Sequence, residues 1–247
     1  MNPDLELALS LADDSDAITM KHFRSRSLAI RTKHDHTPVS EADEAAERMI
    51  RERLQRERPD DGIVGEEYGT SGSAARRWIV DPIDGTKNYI RGVPVFATLI
   101  ALEGSVGVVS APALGRRWWG VRGGGAFCNG ALIHVSSIAE LSEADLSYDS
   151  LTDFTKAGLE PRFIELIRHC RRTRAFGDFW SHMLVAEGAI DIAIEPEVAV
   201  WDLAALQIIV EEAGGRFTSL SGEARADGGS AVSTNGPIHD SVLEALR

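Results

Sequence analysis

Trp78-Ile79-Val80-Asp81-Pro82-Ile83-Asp84-Gly85-Thr86 is a buried-strand pattern that runs straight into carboxylates. Pro82 fixes the backbone between Asp81 and Asp84, and Asp84-Gly85-Thr86 can open a helical turn. Two acids held about a rigid proline at a strand end can converge on one cation instead of splaying into water. Hard oxygen ligands of this kind suit Mg²⁺, which keeps several waters and shares phosphate oxygens. The backbone N–H groups of Gly85 and Thr86, at a helix start, offer an anion site beside it. Metal next to anion points to phosphoryl chemistry. Helix caps and a turn glycine are the plain alternative, but strand, proline, two acids, glycine and hydroxyl in this order weigh against it.

Two further acidic segments stand out, one on either side. Val64-Gly65-Glu66-Glu67-Tyr68-Gly69 places Glu66 and Glu67 directly after a short strand, where a solvated turn would also explain them. Val200-Trp201-Asp202-Leu203-Ala204-Ala205-Leu206 opens an apolar helix for which Asp202 is an N-cap candidate. Toward the N-terminus, apolar spacing predicts a helix from Leu5 to Phe23. Ser40-x-x-Asp43 resembles a capping box for a second helix, which Pro59-Asp60-Asp61-Gly62 stops. Short strands are expected at 78–80, 93–102, 106–111, 117–121, 132–135 and 146–148. Helices at 161–171, 179–188, 202–213 and 237–246 then alternate with strands at 190–194, 216–218 and 230–234. The fold class is therefore α/β and layered, in two closely packed halves, 1–148 and 149–247, forming one catalytic unit.

Composition closes off other classes. The 247 residues carry 38 Asp and Glu against 26 Lys and Arg, a net charge of -12, which repels a nucleic-acid backbone. Cys128 and Cys170 lie outside any metal or disulfide spacing, so a reducing, cytoplasmic location is expected. The acidic start, with Asp4, Glu6, Asp13, Asp14 and Asp16, is the reverse of a signal peptide. The apolar window Gly92–Pro112 is interrupted by Glu103-Gly104-Ser105 and reads as two strands and a turn, not a membrane span. His34 and His36, flanking Asp35, read as loop histidines. Of Trp118 and Trp119, adjacent on a strand, at most one can face a ligand.

Gly65-Glu66-Glu67, the 78–86 segment with Asn88, and Trp201-Asp202 through Glu212-Ala213-Gly214-Gly215 resemble the signatures of the inositol monophosphatase superfamily. Gly123-x-Gly125-Ala126-Phe127-x-Asn129-Gly130 is similar to its central hairpin. The resemblance runs from Lys33 to Gly215 and implies a layered α-β-α-β-α sandwich, with two or three Mg²⁺ ions per active site. It assigns Glu66, Asp81 and the Ile83 carbonyl to one metal, and Asp81, Asp84 and Asp202 to a second. Glu66 also resembles a ligand of a third, looser ion. Asp43 matches the acid that orients the attacking water with Thr86, and Lys33, in Lys33-x-Asp35, matches a lysine near that site. Gly85, Thr86 and Asp202 fall on the substrate side. A homodimer is the family tendency.

The family's substrates include inositol phosphates, fructose 1,6-bisphosphate, phosphoadenosine phosphate and histidinol phosphate. The leaving-group segments Ala175-Phe176-Gly177-Asp178-Phe179-Trp180 and Ile194-Glu195-Pro196-Glu197 offer acids and aromatics, not a basic pocket for a second phosphate. Gly-Asp-Phe at 177–179 resembles the histidinol-phosphatase branch, as do Val109–Leu114, Arg117-Trp118-Trp119 and the segments 229–232 and 234–236. Glu195 matches a common substrate-contact acid. With Asp178 it would face a cationic alcohol, although Asp178 is equally suited to cap the helix after it. A catalytically silent regulatory homologue is the reading from another class, and the intact metal positions argue against it.

Overall fold

Segment 200–212 is apolar on every side, with Leu203, Ala204, Ala205, Leu206, Ile208, Ile209 and Val210 all buried, so it must be covered all round. The architecture supplies that cover from two sheets. In the computed structural model, which describes residues 2–34, 37–72 and 75–247, the chain begins with α1 (Pro3–His22), β1 (Ile30–Thr32), β2 (Pro38–Ser40) and α2 (Glu41–Glu57). There follow β3 (Gly62–Gly65), β4 (Gly69–Ser71), β5 (Arg77–Asp84), α3 (Thr86–Ile90), β6 (Ala97–Leu102), β7 (Val106–Ala111), β8 (Arg116–Val121), β9 (Gly125–Cys128) and β10 (Ala131–Ile133). The remainder forms β11 (Asp145–Tyr148), α4 (Leu151–Lys156), α5 (Glu160–His169), β12 (Arg172–Arg174), α6 (Asp178–Ala186), β13 (Ile192–Glu195), α7 (Val200–Glu212), β14 (Arg216–Thr218), β15 (Ala231–Thr234) and α8 (His239–Leu246).

Strands β3 to β10 make a largely antiparallel sheet in the order β10-β9-β8-β7-β6-β5-β3-β4, and a second sheet runs β12-β11-β13-β15-β14. Helices α1 and α2 cover the outer face of the first sheet, burying Leu5, Leu11, Ile50 and Leu54 against Trp78, Val80 and Ile100. Between the sheets lie α6 and α7, where Phe179, Met183, Leu206 and Ile209 meet Ile79, Leu99, Val109 and Trp118. On the far side, Phe154, Phe163, Leu166 and Val242, from α4, α5 and α8, pack on Leu146, Ile192 and Val232 of the second sheet. The layering is α-β-α-β-α, as expected. Gly107 permits a close approach of α7 to the first sheet, since a Cβ there would stand 2.5 Å from the Ala205 carbonyl oxygen.

One irregularity positions the site. In the pairing of β5 with β6, Asp81 faces Leu99 while Asp84 faces Ala97, so β5 carries one extra residue. Pro82 lies within it and has no N–H to give the ladder; the resulting bulge re-aims the strand end. Among the described residues no helix is long and apolar enough to cross a membrane.

Candidate active site

The strand end, two helix starts and two turns meet in one cleft lined by Glu66, Asp81, Ile83, Asp84, Gly85, Thr86, Lys87, Asp178, Glu195 and Asp202. Asp81, Asp84 and Asp202 each offer a carboxylate oxygen, all within 4.8 Å of one another. A backbone N–H aims each of them: Ile83 N donates to Asp81 at 2.9 Å, Phe179 N to Asp84 at 2.7 Å and Ala199 N to Asp202 at 2.9 Å. Burial, and then the neighbouring acids, push Asp81 and Asp84 well above the usual carboxylate range. Burial likewise raises Asp202 to about 7 against its hydrogen bond from Ala199, with Glu66 and Glu195 adding to the rise. Among the described residues none of the three has a basic partner. A set of hard oxygen donors that repel one another fits a divalent cation, which would let all of them ionise.

Asp202 is not the N-cap expected from sequence. The helix starts one turn earlier in register, with Ala199 as N-cap and Asp202 at the third helical position, reaching back to the Ala199 N–H. The apolar Val200 and Trp201 belong to the first turn, which leaves Asp202 free to serve backbone and cleft with different oxygens.

Asp43 behaves as the capping-box reading requires and does more. Its Oδ2 accepts from Ser40 N at 2.9 Å and Ser40 Oγ at 2.5 Å, which leaves Oδ1 facing Thr86 Oγ1 at 3.2 Å. The Thr86 hydroxyl also lies 2.9 Å from the Ile83 carbonyl. Burial raises Asp43 to about 6. Lys33 Nζ donates to Glu66 at 2.7 Å and Glu67 at 2.8 Å. Burial opposes the Lys33 charge, but these two carboxylates outweigh it and raise its pKa; burial lifts Glu67 to about 7. Thus Lys33, Glu66, Asp43 and Thr86 do come together beside the three-acid cluster. Asp35 and His36 lie outside the described residues.

Gly85 sits at φ 79°, and a Cβ there would stand 2.9 Å from the Val95 carbonyl oxygen, so only glycine fits this turn between Asp84 and Thr86. Asp178 also has a left-handed backbone, φ 48°, unusual for a residue with a side chain. The cap reading of Asp178 fails: Gly177 is the N-cap, with no side-chain capping bond, and it is Asp84 that accepts the Phe179 N–H of α6. Asp178 instead accepts from Asn88 Nδ2 at 2.9 Å, and burial, with Asp149 and Glu195 nearby, raises it to about 8.

Sequence reasoning passed over Asp149, Asp153 and Lys87, which line the same cleft as Glu197. Asp149 was findable, since it follows β11 as Asp84 ends β5. Asp153 carries no such signal. Neither Trp118 nor Trp119 lines the cleft: Trp118 is buried in the core, and Trp119 stacks on Phe127 at 5.8 Å between ring centroids.

The model of the inositol monophosphatase family matches residues 1–247. The histidinol-phosphatase of Mycobacterium tuberculosis is 58% identical over 253 residues, covering 98% of this chain and 97% of that protein. That of Streptomyces coelicolor is 53% identical over 256 residues, covering 98% and 96%. Among solved structures, the Thermotoga maritima IMPase superposes with a TM-score of 0.88 at 34% identity, covering 98% of this chain and 96% of that one. Family match, full-length relatives and a cleft that gathers the motif residues agree: the chain belongs to the inositol monophosphatase family.

Proposed function

We propose that this protein is a Mg²⁺-dependent phosphomonoesterase that hydrolyses L-histidinol phosphate to L-histidinol and phosphate, in the cytoplasm and as a homodimer. The observation that carries the choice of substrate is the acidic wall beside the three-acid cluster, where Asp149, Asp153, Asp178, Glu195 and Glu197 line one cleft. Five acids, beyond those assigned to metal, oppose a leaving group that bears a second phosphate, and favour one with an ammonium and an imidazole. The two most similar relatives named above are histidinol-phosphatases, which supports the same reading.

Glu66, Asp81, the Ile83 carbonyl, Asp84 and Asp202 would hold two or three Mg²⁺ ions. Bound there, the metal supplies acidification of water, neutralisation of phosphate charge and stabilisation of the departing oxygen. The chain's own residues do the rest. Gly85 and Thr86 seat the phosphate at the turn. Asp43, locked on one oxygen by Ser40, orients the Thr86 hydroxyl with the other, and this pair aligns the attacking water and takes up its proton. Lys33 holds Glu66 in place. Water oxygen bonds to phosphorus as the ester P–O bond breaks, and the alcohol leaves toward Asp178 and Glu195, its oxygen taking a proton from a second water while Asp43 returns its own to solvent. Residues 1–148 and 149–247 act as one unit, because Asp202 completes a metal site begun by Asp81 and Asp84.

Phosphate release from histidinol phosphate, inositol 1-phosphate, fructose 1,6-bisphosphate and 3′-phosphoadenosine 5′-phosphate, with Mg²⁺ and with chelator, tests this. Histidinol phosphate should give the highest kcat/KM, and chelator should abolish turnover of all. A higher value for any other substrate overturns the assignment, and full activity in chelator overturns the metal mechanism.

A further inference from the structure

Glu195 ends β13 and lines the cleft, and a neighbour from the interior stands against its side chain. Strand alternation puts Glu195 and Ala193 on one face of β13, and Ser233 of β15 lies directly opposite Ala193. α6 packs on this face and places the ring of His182, fully buried, against the two strands. Its Nδ1 lies 2.6 Å from Ser233 Oγ, and its Nε2 lies 3.4 Å from Glu195 Oε1. Among the described residues neither Nε2 nor Oε1 has any hydrogen-bond partner, and both are buried. An ionised carboxylate oxygen only accepts, so this geometry asks for the ring hydrogen on Nε2, with Nδ1 accepting from the Ser233 hydroxyl.

We propose that His182, backed by Ser233, is a positioning residue that fixes the rotamer of Glu195 for the cationic part of the leaving alcohol. This rests on the reading of Glu195 as a substrate contact. A free glutamate would have to give up its rotamer freedom on binding; one held from behind has already done so, and substrate gains the difference. The 3.4 Å approach sets the buried Nε2 against the buried Oε1, and among the described residues neither has a competing partner. His182 therefore acts on KM for a cationic substrate and touches neither phosphate nor the attacking water.

The test compares His182→Phe, which fills the volume without a donor, with His182→Gln, whose amide can offer an N–H to Glu195. In His182→Phe, KM for histidinol phosphate should rise about tenfold with kcat changed far less, and His182→Gln should recover most of the loss. Equal loss of kcat/KM on histidinol phosphate and on inositol 1-phosphate, or no loss on either, overturns the proposal. Should His182→Phe fail to fold, Ser233→Ala carries the same comparison, with a rise in KM of about threefold expected and an unchanged KM counting against it. Ring ¹⁵N NMR of the wild-type protein reads the geometry without any substrate. Hydrogen on Nε2, with a shift on Glu195→Gln, supports the positioning role, and hydrogen on Nδ1 overturns it. A wild-type enzyme inert toward histidinol phosphate would overturn the proposed function instead, leaving the NMR reading to judge His182.

Discussion

Asp84 serves two neighbours with one side chain: Oδ2 accepts the Phe179 N–H that opens α6, and the carboxylate joins Asp81 and Asp202 in the cluster. Asp84→Asn keeps an acceptor for Phe179 and removes one charge. Loss of a metal ligand should lower kcat/KM by about three orders of magnitude, the several kcal/mol that charge stabilisation at the reacting oxygens supplies. In chelator the same variant should melt at or above the wild-type temperature, because a buried, repelled carboxylate has gone. Near-wild-type turnover, or a clearly lower melting temperature in chelator, would remove Asp84 from the metal site. At this scale the convergence of Asp81 and Asp84 was legible because Pro82 and Gly85 impose a backbone that few other purposes need. Asp202 and Asp178 were harder. An acid at a helix start reads as a cap, and only the partners, Ala199 three residues before Asp202 and the distant Asn88 for Asp178, tell which oxygen is spoken for.

Most helices follow directly from spacing: α1, α2, α5 to α8 lie where apolar periodicity and caps put them, to within about two residues at most ends. The strands β1, β4 and β12 were not anticipated, being three residues long and mostly exposed, so no alternation can develop. The start of α8 carries a titration that the sequence does not announce. His239 is buried between Thr218 Oγ1 and Thr234 Oγ1, each 2.9 Å from a ring nitrogen, and the Thr218 hydroxyl also lies 2.8 Å from the Ser219 carbonyl. Burial first, then Arg216, lowers its pKa from 6.5 to about 4. The unfolded chain therefore takes up a proton near pH 6.5 that the folded chain refuses until about pH 4, so this contribution is full above pH 6.5 and is lost as pH falls toward 4. Acids such as Asp178 and Asp202, raised in the fold, slope the opposite way. The difference between wild type and His239→Gln isolates the histidine. Wild type should lose about 2 kcal/mol more than the variant in urea unfolding between about pH 7 and pH 5. Parallel pH dependence of the two proteins would place the effect elsewhere.

At the scale of the molecule, two sheets clamp α6 and α7, and the two helix starts bring Asp178 and Asp202 to the end of β5 where Asp81 and Asp84 emerge. Lys33, Glu66 and Asp43 reach the same cleft from the outer layer. The layered class could be read from the order of elements, and Asp178, Glu195 and Glu197 from their segments, but Asp149 and Asp153 join that wall only when β11 and α4 are folded against the end of β13. That wall is the basis for assigning a cationic leaving group. The most direct measurement is kcat/KM of the wild-type enzyme with Mg²⁺ on L-histidinol phosphate and on its analogue in which hydrogen replaces the ammonium. Phosphate, linker and imidazole are the same in both, so the ratio isolates the amine. A charge-assisted hydrogen bond in the wall predicts a preference of about ten- to 150-fold for histidinol phosphate. Equal values for the two esters would contradict a wall that recognises the cation.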